Sequence, residues 1–535
     1  MPKHSIPYCD TGYFSNLILD YLAQDKSVDF LYHRFPTLEN LGAQMEEKGK
    51  NFPQENRKVL VNALQKQYKN LQVSEATRQN FKNLENINTF TVTTGHQLNL
   101  FTGPLYFLYK IVSTINLCKQ LKTRYPKNDF VPVYWMASED HDFDEINFFN
   151  FNSKKVVWER SAGGAVGALS TEGLDRVFET FSKQLGNSPH AEKLKSLFKD
   201  AYLQHNNLSD STRYLANVLF GEEGLVILDA DDVSLKQLFI PYIEKELFEN
   251  SCSNAVAKTN KSINSLNGKN YKLQVNPREI NLFYLEKNSR ERIVEKEGYF
   301  YINNSGKRFS KSELQTEITQ HPERFSPNVL MRPLYQEVIL PNLCYIGGGG
   351  ELAYWLQLKS YFDEMQVAFP ILLLRNSALL LTSKQLSKID KLNLALKDLF
   401  LPKSELENKV AKQISEIVID FSRQQKFLQQ QFKELYETAQ KTDPTFKKMV
   451  AAQEAKQLKG LDAMEKRLLK AQKRKLADHL NRVTQLQNEL FPNGSLQERT
   501  ANFSEFYLEF GDSFITQLFE NLDPLQQEFV CLELG

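Results

Sequence analysis

The sequence predicts an α/β protein in which a parallel sheet, covered by helices on both faces, is joined to a long antiparallel α-helical coiled coil. Two observations predict the sheet: short apolar runs recur along the chain, and stretches with helical spacing separate them. A third observation, heptad-like apolar spacing after residue 384, predicts the coiled coil. The apolar runs lie at residues 89–94, 130–136, 224–229, 344–346 and 369–374.

The first two apolar runs predict a βαβ unit. The run 89–94 ends at Gly95, and Pro104 suits the first turn of a helix that continues to Leu117. The run 130–136 then leads directly into an acidic loop. Because strand, helix and strand follow one another within about 45 residues, the crossover should be right-handed and the two strands parallel.

The later apolar runs continue the same sheet, so the core is discontinuous in sequence. The second of two insertions contains alternating strand signals and is expected to be part β. The expected segments are N-terminal helices with the first half of the core (1–150), a helical insertion (151–223), a core segment (224–244), an α+β insertion (245–325), the second half of the core (326–383), the coiled coil (384–495) and a C-terminal segment that packs on the body (496–535).

Two runs with heptad-like spacing flank a turn that contains Pro444, and this pattern predicts the coiled-coil hairpin. Between residues 441 and 480, eleven Lys or Arg residues stand against five Asp or Glu residues, with few aromatic residues. A solvated helical surface explains this excess better than nucleic-acid binding does. The apolar positions are Ile414, Ile417, Phe421, Leu428, Phe432 and Leu435 in the first run, and Leu461, Met464, Leu468, Ala471, Leu480, Val483 and Leu490 in the second.

The composition excludes several classes of protein. A formal net charge of +1 over 535 residues creates no field that would attract nucleic acid or an anionic membrane. No apolar stretch approaches the roughly 20 residues that cross a bilayer, and the N-terminus lacks the apolar core of a secretory signal. The five cysteines are far apart, which argues against disulfides and against a structural zinc site. We therefore expect a soluble cytoplasmic protein, and no residue is assigned as a metal ligand.

A first candidate site motif spans residues 94–104, between a predicted strand and a predicted helix. At this position a helix N-terminus offers free N–H groups to an anionic ligand. Gly95 would let the backbone approach a cofactor, and polar side chains around it would bind substrate or an oxyanion. The alternative is a glycine turn whose histidine only satisfies backbone groups. The candidates are Gly95, His96, Gln97, Asn99 and Thr102.

A second motif follows the strand 130–136 directly, with five carboxylates and one histidine in residues 139–145. Clustered carboxylates raise one another's cost of ionisation and are stabilised by an ammonium group, a sugar hydroxyl or a hard metal ion. A solvated acidic loop, or the capping of a following helix, are the alternatives. The candidates for acid–base and substrate-binding roles are Glu139, Asp140, His141 and Asp142.

A third motif runs from residue 331 to residue 355 and includes four successive glycines between a strand and a helix. Such glycines form a platform without side chains that suits a nucleotide or phosphate, or else they allow a helix to pack closely on a strand. An arginine here could bind a carboxylate through two hydrogen bonds. The substrate-binding candidates are Arg332, Gln336, Glu351 and Tyr354, and the cofactor-binding candidates are Gly347, Gly348, Gly349 and, after the last strand, Arg375.

These three motifs together resemble the cysteine-adding family of bacillithiol biosynthesis, the BshC family. The resemblance rests on Thr94-Gly-His-Gln with Leu-Phe-Thr-Gly-Pro-Leu-Tyr106, on Val131-Pro-Val-Tyr-Trp with Glu-Asp-His-Asp-Phe-Asp-Glu-Ile146, and on Arg332-Pro-Leu-Tyr-Gln-Glu with Glu-Leu-Ala-Tyr-Trp355. It covers nearly the whole chain in order. It implies that cysteine is added to glucosaminyl-malate through an amide bond, the last step of bacillithiol synthesis. It also implies a Rossmann-like core with two connecting-peptide insertions, and a homodimer formed through the coiled coil.

The implied core is similar to class I aminoacyl-tRNA synthetases, so ATP or another adenine nucleotide is the implied cofactor. Only one histidine, His96, stands where those enzymes have two, and Ser383–Lys388 is a weak counterpart of their second signature. On this resemblance His96 would stabilise negative charge, while Asp140, His141 or Asp142 would orient or deprotonate the incoming amine. Arg332 would hold the malate carboxylates.

Two alternatives of other classes stay open at this point. The chain could be a non-catalytic scaffold that retains a degenerate nucleotide fold and works through its coiled coil. It could also be a metal-dependent hydrolase centred on residues 139–145, in which case a chelator would abolish activity.

Overall fold

The computed structural model describes residues 3–266 and 268–535, which separate into two compact units. The first unit comprises residues 3–9, 13–380 and 497–535. The second comprises residues 10–12 and 381–496. Residues 1, 2 and 267, which the expected segments 1–150 and 245–325 include, lie outside the described part. None of the helices in the described part combines the length and the apolarity that crossing a membrane requires.

The strands form four sheets in the described residues. The strands are β1 (Lys3–Pro7), β2 (Thr89–His96), β3 (Asp129–Met136), β4 (Phe148–Phe151), β5 (Lys154–Val157), β6 (Val226–Asp229), β7 (Leu282–Glu286), β8 (Ser289–Lys296), β9 (Tyr299–Ile302), β10 (Arg308–Phe309), β11 (Phe325–Pro327), β12 (Asn342–Gly347), β13 (Ile371–Leu374), β14 (Ala378–Thr382) and β15 (Glu528–Leu534).

Helices account for most of the remaining regular structure. They are α1 (Asn16–Leu22), α2 (Leu38–Asn51), α3 (Gln54–Gln67), α4 (Glu75–Leu84), α5 (Tyr106–Arg124), α6 (Phe143–Ile146), α7 (Leu174–Leu185), α8 (Pro189–Leu203), α9 (Leu208–Phe220), α10 (Val233–Gln237), α11 (Ile240–Glu249), α12 (Ser251–Asn264), α13 (Lys311–Gln320), α14 (Arg332–Ile339), α15 (Gly349–Leu356), α16 (Lys359–Met365), α17 (Ser383–Lys391), α18 (Lys403–Ile414), α19 (Ser422–Ala439), α20 (Pro444–Lys475), α21 (Ala477–Leu490), α22 (Gln497–Thr500), α23 (Phe503–Phe510) and α24 (Asp512–Asn521).

The central sheet has five parallel strands in the order β13-β12-β2-β3-β6, which confirms the predicted Rossmann-like core. All eight residues of β2 are buried, as expected for a central strand covered on both faces. The strands β12 and β3 flank β2 and run in the same direction. The three candidate motifs follow these three strands, so the sheet brings them to one edge although about 250 residues separate the first motif from the last.

One face of this sheet packs against helices α2 and α5 and forms a cluster of buried apolar side chains. Each large apolar side chain buried here contributes about 1.5–3 kcal/mol relative to leaving it in water. Burial of these side chains stabilises the strand order that positions the candidate site. The buried residues of this cluster are Leu41, Met45, Phe90, Val92, Leu117, Cys118, Leu121, Phe130, Leu343, Cys344, Ile346, Ile371 and Leu373.

The two inserted regions differ in structure. Residues 151–223 hold α7, α8 and α9, but the chain enters them through the antiparallel hairpin β4–β5, whose two turn residues Asn152 and Ser153 have positive φ. Residues 245–325 include α12 and α13 together with the antiparallel strands β7 to β10. Strand β11 completes this second sheet.

The terminal regions contain strands that the sequence reasoning did not predict. The N-terminal region has the helices α1 to α4, but it begins with strand β1. Strand β1 pairs antiparallel with β15 at the end of the chain, in a sheet ordered β1-β15-β14. The C-terminal segment therefore belongs to the first unit, where its helix α22 hydrogen-bonds to β14.

The second unit is helical, and its helices α19 and α20 are antiparallel. Tyr436 hydrogen-bonds to Glu454, whereas Gln425, which comes earlier in α19, hydrogen-bonds to Asp462, which comes later in α20. The two helices therefore run in opposite directions. Asp443 accepts hydrogen bonds from the first backbone N–H groups of α20, and Pro444 occupies the first turn. This hairpin confirms the predicted coiled coil.

The predicted start of the first coiled-coil helix is wrong. Helix α18 ends at Ile414, and residues 415–421 are not helical. Asp420 accepts hydrogen bonds from the backbone and side chain of Ser422, which begins a new helix at that residue. Ile417, counted as a heptad position, is exposed.

Candidate active site

A cavity of about 640 Å³ lies in the first unit, at the carboxyl ends of β2, β3 and β12. In an open parallel sheet this edge is where ligands bind, because loops diverge there and helices begin. Ten of the residues predicted from the sequence line the cavity. They are Gly95, His96, Gln97, Glu139, Asp140, Arg332, Gly348, Glu351, Tyr354 and Arg375.

Three other predicted residues lie beside the cavity without lining it. Asn99 donates a hydrogen bond to the carbonyl of Glu145 at 3.2 Å. Gln336 is buried, and its carbonyl oxygen accepts a hydrogen bond from Arg332 Nη1 at 3.0 Å. Thr102 is also buried, in the turn that follows His96. These residues support the lining of the cavity rather than form it.

The histidine and the second aspartate of the acidic motif point elsewhere. Asp142 is exposed and does not line the cavity. The His141 side chain is 49% exposed, and its Nδ1 lies 3.1 Å from Nη1 of Arg290. Asp140 therefore lines the cavity while the two residues after it do not, because the chain turns outward there to begin α6.

The four glycines of residues 347–350 have different surroundings. A Cβ atom at Gly347 would lie 2.9 Å from side-chain atoms of Leu352 and Tyr345, so this glycine permits close packing of α15 on β12. Neither Gly347 nor Gly349 lines the cavity, whereas Gly348 does. A Cβ atom at Gly348 would approach Glu351 and Arg375 only to 3.5 Å and 3.6 Å.

One end of the cavity, which we call the basic end, carries four cations: Lys110, Arg332, Arg375 and Arg499. Arg332 lies among the rings of Trp135, Tyr345 and Trp355, with its guanidinium carbon 5.4–5.7 Å from their centroids. Its Nη2 atom is buried and has no hydrogen-bond partner among the described residues. A buried, unpaired guanidinium nitrogen beside a cavity is suited to an anionic ligand.

Lys110 and Glu351 form a buried ion pair at the basic end. Lys110 Nζ lies 2.6 Å from Glu351 Oε2 and donates a hydrogen bond to the carbonyl of Gly95 at 2.7 Å. Burial lowers the pKa of Lys110, and the Glu351 carboxylate opposes this effect. Burial would raise the pKa of Glu351, but Lys110 and hydrogen bonds from Gly348 and Tyr345 hold it below its usual value. The pair is therefore ionised and ties the first motif to the third.

Arg375 is fixed by a second buried ion pair. Its Nη2 donates a hydrogen bond to Glu498 at 2.7 Å, and the two side chains are only 5% and 1% exposed. Glu498 also accepts hydrogen bonds from the Ala378 backbone and the Ser377 hydroxyl. The next residue, Arg499, lines the cavity and is exposed. The C-terminal segment thus contributes to the site.

His96 also lines the cavity, and its imidazole is neutral. Burial lowers its pKa well below the usual 6.5, and the cations Lys110 and Arg375 of the basic end lower it further, while the backbone of Thr102 opposes this shift. Nε2 is buried without a partner among the described residues. The ring packs against Tyr106 and Phe107 at 5.4 Å and 5.1 Å, which fixes the side chain.

The opposite end, which we call the acidic end, carries Glu139, Asp140 and Glu145. The amide nitrogen of Gln97 donates hydrogen bonds to Asp140 at 2.8 Å and to Glu145 at 2.9 Å. Glu139 pairs with the buried Lys236. Burial, together with the charge of Glu139, raises the pKa of the nearby Asp231 to about 7.

Arg290 also lies at the acidic end. Burial lowers its pKa, and Glu139, Asp140 and Asp231 oppose that effect. Its Nε donates to Ser326, and its Nη2 donates to the carbonyl of Pro327. Three carboxylates on the lining, Glu139, Asp140 and Glu145, thus stand against two cations, Lys236 and Arg290, which leaves this end suited to an ammonium group.

Sequence reasoning missed three cations of the lining: Lys110, Arg290 and Arg499. Lys110 had a usable signal, because it is a charged residue inside the apolar stretch of helix α5. Arg290 and Arg499 had none, since they come from the second insertion and the C-terminal segment. In the described residues, no group of three or more His, Cys, Asp or Glu side chains is arranged to hold a metal ion.

The chain matches two family models in order. The first, described as "Bacillithiol biosynthesis BshC, N-terminal Rossmann-like domain", matches residues 1–376. The second, "Bacillithiol biosynthesis BshC, C-terminal coiled-coil domain", matches residues 378–534. The boundary between the two matches falls close to residue 380, where the first compact unit gives way to the second.

Curated relatives match over the same length. A protein of Christiangramia forsetii named "Putative cysteine ligase BshC" is 57% identical, with 100% of both chains covered. Proteins of the same name from Flavobacterium johnsoniae and Bacillus cereus are 56% and 29% identical, with 99% and 84% of this chain and 99% and 86% of those chains covered. Two domain models matched in order and relatives matched from end to end show that the chain belongs to the BshC family of bacillithiol biosynthesis.

Proposed function

We propose that this protein is the ligase that joins cysteine to glucosaminyl-malate through an amide bond, the last step of bacillithiol synthesis. The observation that carries the proposal is one cavity whose lining includes a basic end, an acidic end and a neutral histidine. The reaction brings together a carboxylate and an amine, and each end suits one of these charges. The names of the relatives support the same chemistry for those proteins.

The basic end would bind the anionic groups. Glucosaminyl-malate carries two carboxylates, and Arg332 offers a buried nitrogen that lacks a partner. Lys110 and Arg375 are held by Glu351 and Glu498, so they keep their positions before any ligand arrives. Donors that are already oriented cost no reorganisation when charge develops on a substrate.

The acidic end would receive the amine as an ammonium ion. Asp140 and Glu145 are held side by side by Gln97, which leaves their remaining oxygen lone pairs available. The amine must lose a proton before it attacks, and a neutral imidazole can accept it. We assign this step to the imidazole of His96, which lines the cavity.

Amide formation also requires that a carboxylate oxygen of cysteine leaves, so an activating co-substrate is part of the proposal. ATP would supply it. The carboxylate oxygen attacks the α-phosphorus and pyrophosphate leaves. The ammonium group gives one proton to His96, the neutral amine nitrogen attacks the acyl carbon, and AMP leaves; the second proton of the nitrogen is taken up by the departing phosphate. Gly348, at the N-terminus of α15 and on the lining, leaves room for a phosphate.

Deletion of the gene in its host tests the pathway assignment. We expect bacillithiol to disappear and glucosaminyl-malate to accumulate, as read by mass spectrometry of labelled thiols and their precursors. Wild-type protein and the control Asp144→Ala, which changes an exposed carboxylate outside the cavity, should restore the thiol. His96→Ala should not. Unchanged thiols in the deletion strain would contradict the proposal.

The purified chain tests the nucleotide. Incubated with cysteine, glucosaminyl-malate and ATP, it should release one AMP for each bacillithiol formed. Product formed without loss of ATP would contradict the adenylate step and leave the ligase assignment in place. Product that requires a divalent ion but no nucleotide would favour a different route of activation.

We also propose that the chain acts in the cytoplasm and forms a homodimer through its second unit. Helices α19 and α20 expose large apolar side chains on a polar surface, including Phe427 at 67% and Met464 at 52%. Exposed apolar patches of this kind mark association surfaces. Light scattering should show a dimer for the wild-type chain and a monomer for Phe427→Glu. A monomeric wild-type chain at micromolar concentration would contradict this part.

A further inference from the structure

A buried ion pair is connected to Arg332 by hydrogen bonds, although neither of its partners lines the cavity. Nζ of Lys48, in α2, lies 2.9 Å from Oε2 of Glu337, in α14, and the two side chains are 3% and 0% exposed. Replacing a buried ion pair by apolar residues of similar volume is often neutral or even stabilising. Stability alone therefore does not explain why these two charges are buried here.

The carboxylate of Glu337 accepts hydrogen bonds at both of its oxygens. Oε2 accepts from Lys48, and Oε1 accepts from the amide nitrogens of Asn342 at 2.7 Å and of Gln336 at 3.0 Å. Asn342 is itself fixed, because its amide oxygen accepts a hydrogen bond from the Thr93 hydroxyl at 2.8 Å. An ionised carboxylate accepts hydrogen bonds and donates none. Each of these groups must therefore keep its donor directed at Glu337.

This carboxylate determines the orientation of the Gln336 amide. Gln336 is completely buried, so water does not compete for its hydrogen bonds. Its nitrogen donates to Glu337, and its oxygen accepts a hydrogen bond from Nη1 of Arg332 at 3.0 Å. A glutamine amide has donors on its nitrogen and an acceptor on its oxygen. A carboxylate at position 337 therefore places an acceptor at Arg332.

Arg332 lines the cavity, and Gln336 holds one of its two terminal nitrogens. The rings of Trp135, Tyr345 and Trp355 surround the guanidinium at 5.4–5.7 Å and restrict its position but not its rotation in the plane. The hydrogen bond to Gln336 supplies that restriction. Nη2 is then the nitrogen left without a partner in the described residues.

We infer that Glu337 is a positioning residue: through the amide of Gln336 it holds Nη1 of Arg332 and so orients the guanidinium towards an anionic ligand in the cavity. Gln336, predicted from the sequence to bind substrate, acts through Arg332 in this arrangement. The orientation rests on the hydrogen bonds described above. Its consequence for the reaction rests on the proposed function, in which Arg332 binds the malate carboxylates.

A role limited to the ion pair is the alternative. Lys48 also donates a hydrogen bond to the backbone carbonyl of Glu337 at 3.1 Å, so the pair ties α2 to α14. If this were the whole role, loss of the carboxylate would lower stability, and the orientation of the Gln336 amide would be irrelevant to Arg332. Stability cannot separate the two explanations, whereas the state of the guanidinium can.

Glu337→Gln is the first variant. The introduced amide has one oxygen, which Lys48 requires, so its nitrogen must face Gln336. The Gln336 amide then has to turn its oxygen towards position 337, and its nitrogen comes to face Nη1 of Arg332. Two donors then face each other, and the guanidinium is no longer held.

The double variant Gln336→Glu with Glu337→Gln moves the carboxylate by one residue. The carboxylate at position 336 accepts from Arg332 and from the amide at position 337, so the guanidinium is held again. Lys48 still lacks a carboxylate partner in this double variant. It therefore restores the state of Arg332 under the inference, and it restores nothing if Glu337 acts only by pairing with Lys48.

Two further variants complete the set. Gln336→Met removes the connection to Arg332 and leaves the Lys48–Glu337 pair in place, so it serves where the variants that lose that pair fail to fold. The matched control is Asn56→Ala. Asn56 donates a hydrogen bond to the carbonyl of Val338 at 2.9 Å, in the same helix, and takes no part in the hydrogen bonds that lead to Arg332.

The first measurement is the ¹⁵N spectrum of selectively labelled arginine side chains in the full chain without ligand, with the Arg332 signals assigned from an Arg332→Lys variant. A hydrogen bond to one terminal nitrogen hinders rotation of the guanidinium and keeps the Nη1 and Nη2 signals separate. We expect separate signals in wild type, in Asn56→Ala and in the double variant. We expect merged signals in Glu337→Gln and in Gln336→Met.

The second measurement is the affinity of the same proteins for malate, read by titration calorimetry. The dissociation constant should rise about tenfold in Glu337→Gln and in Gln336→Met, and the double variant should regain the wild-type value. In the complete reaction, KM for glucosaminyl-malate should rise by the same factor while KM for cysteine stays unchanged.

The outcomes separate the inference from the proposed function. Separate Nη signals in Glu337→Gln and in Gln336→Met would overturn the inference, whatever the affinity, and so would merged signals in the wild-type chain. A folded double variant with merged signals would overturn it as well. Signals that behave as expected in a chain that does not bind malate would uphold the positioning of Arg332 and contradict the assignment of the malate carboxylates to this arginine.

Discussion

The two ends of the cavity are built differently. At the basic end, Arg375 and Glu498 are 5% and 1% exposed, and Lys110 is 3% exposed, although its partner Glu351 is 27% exposed. At the acidic end, Glu139 forms a buried pair with Lys236, but Asp140 is 30% exposed and is held, together with the exposed Glu145, by the amide of Gln97. Buried ion pairs are costly to break, whereas exposed ones contribute little.

This difference suggests that the two ends of the cavity have different functions. A basic end that is locked in place suits groups whose charge must be stabilised in a fixed position during reaction. Asp140 and Glu145, which are more exposed and are held by one amide, suit a substrate that enters and leaves as a cation. The following changes test whether the two ends really differ in this way.

The largest effect is expected where the basic end is anchored. Glu498→Gln removes the charge that pairs with Arg375 in a buried setting, and we expect unfolding free energy to fall by about 3–5 kcal/mol. The matched control is Glu489→Gln, whose partner Lys388 is 53% exposed, and here we expect at most about 1 kcal/mol. Thermal and urea denaturation measure both. Equal effects would mean that the Arg375–Glu498 pair contributes no more to the unfolding free energy than an exposed ion pair does.

The next largest effect concerns the pH dependence of the reaction. Burial and the cations Lys110 and Arg375 hold the pKa of His96 well below 6.5, so His96 stays neutral until the pH falls below that lowered value. In Lys110→Met one of these cations is gone, and the pKa of His96 rises. The acid limb of kcat/KM should therefore move to higher pH.

A complete pH–rate profile of Lys110→Met against wild type measures this shift. Lys119→Met, a change on the exposed side of the same helix, is the control and should leave the limb in place. An acid limb that moves to lower pH in Lys110→Met would contradict the assignment of that limb to His96.

A smaller effect is expected at the acidic end. The double change Asp140→Asn and Glu145→Gln removes both charges that Gln97 holds together. KM for the amine substrate should rise about tenfold, which corresponds to about 1.4 kcal/mol, while stability changes little. Asp144→Asn, outside the cavity, should leave KM unchanged. A loss of kcat without a change in KM would place these carboxylates in the chemical step instead.

The sequence was sufficient for the parts of the fold that depend on local pattern. Continuous apolar runs predicted β2, β3, β12 and β13, and heptad spacing predicted the helical hairpin of α19 and α20. Strands ending in polar loops predicted where a site would lie, because parallel strands bring their carboxyl ends to one edge. Strand β15 was missed, since its partner β1 lies at the other end of the chain.

The sequence indicated which residues lie near the cavity, but not the direction in which their side chains point. His141 and Asp142 follow Asp140 directly, yet the chain turns away after Asp140 and leaves both exposed. Gly347 and Gly348 look alike in sequence, but only one is required by close packing. Asn502 gave no signal, because the carbonyls of Phe101 and Gly103 to which it donates hydrogen bonds lie about 400 residues earlier. Side-chain direction and long-range partners are properties of the folded chain.

The smallest effect should be that of Arg499, the one cation of the basic end that is exposed. An exposed charge attracts an anionic substrate but is screened by salt within about 10 Å at 0.1 M. Arg499→Ala should raise KM for glucosaminyl-malate about threefold at low ionic strength, and the difference should vanish at high salt. Arg482→Ala, which removes an exposed charge in the second unit, is the control. A large effect that persists at high salt would show that Arg499 binds the substrate as tightly as the buried, paired cations do. The comparison between buried and exposed groups would then have to be made for the protein with its ligand bound.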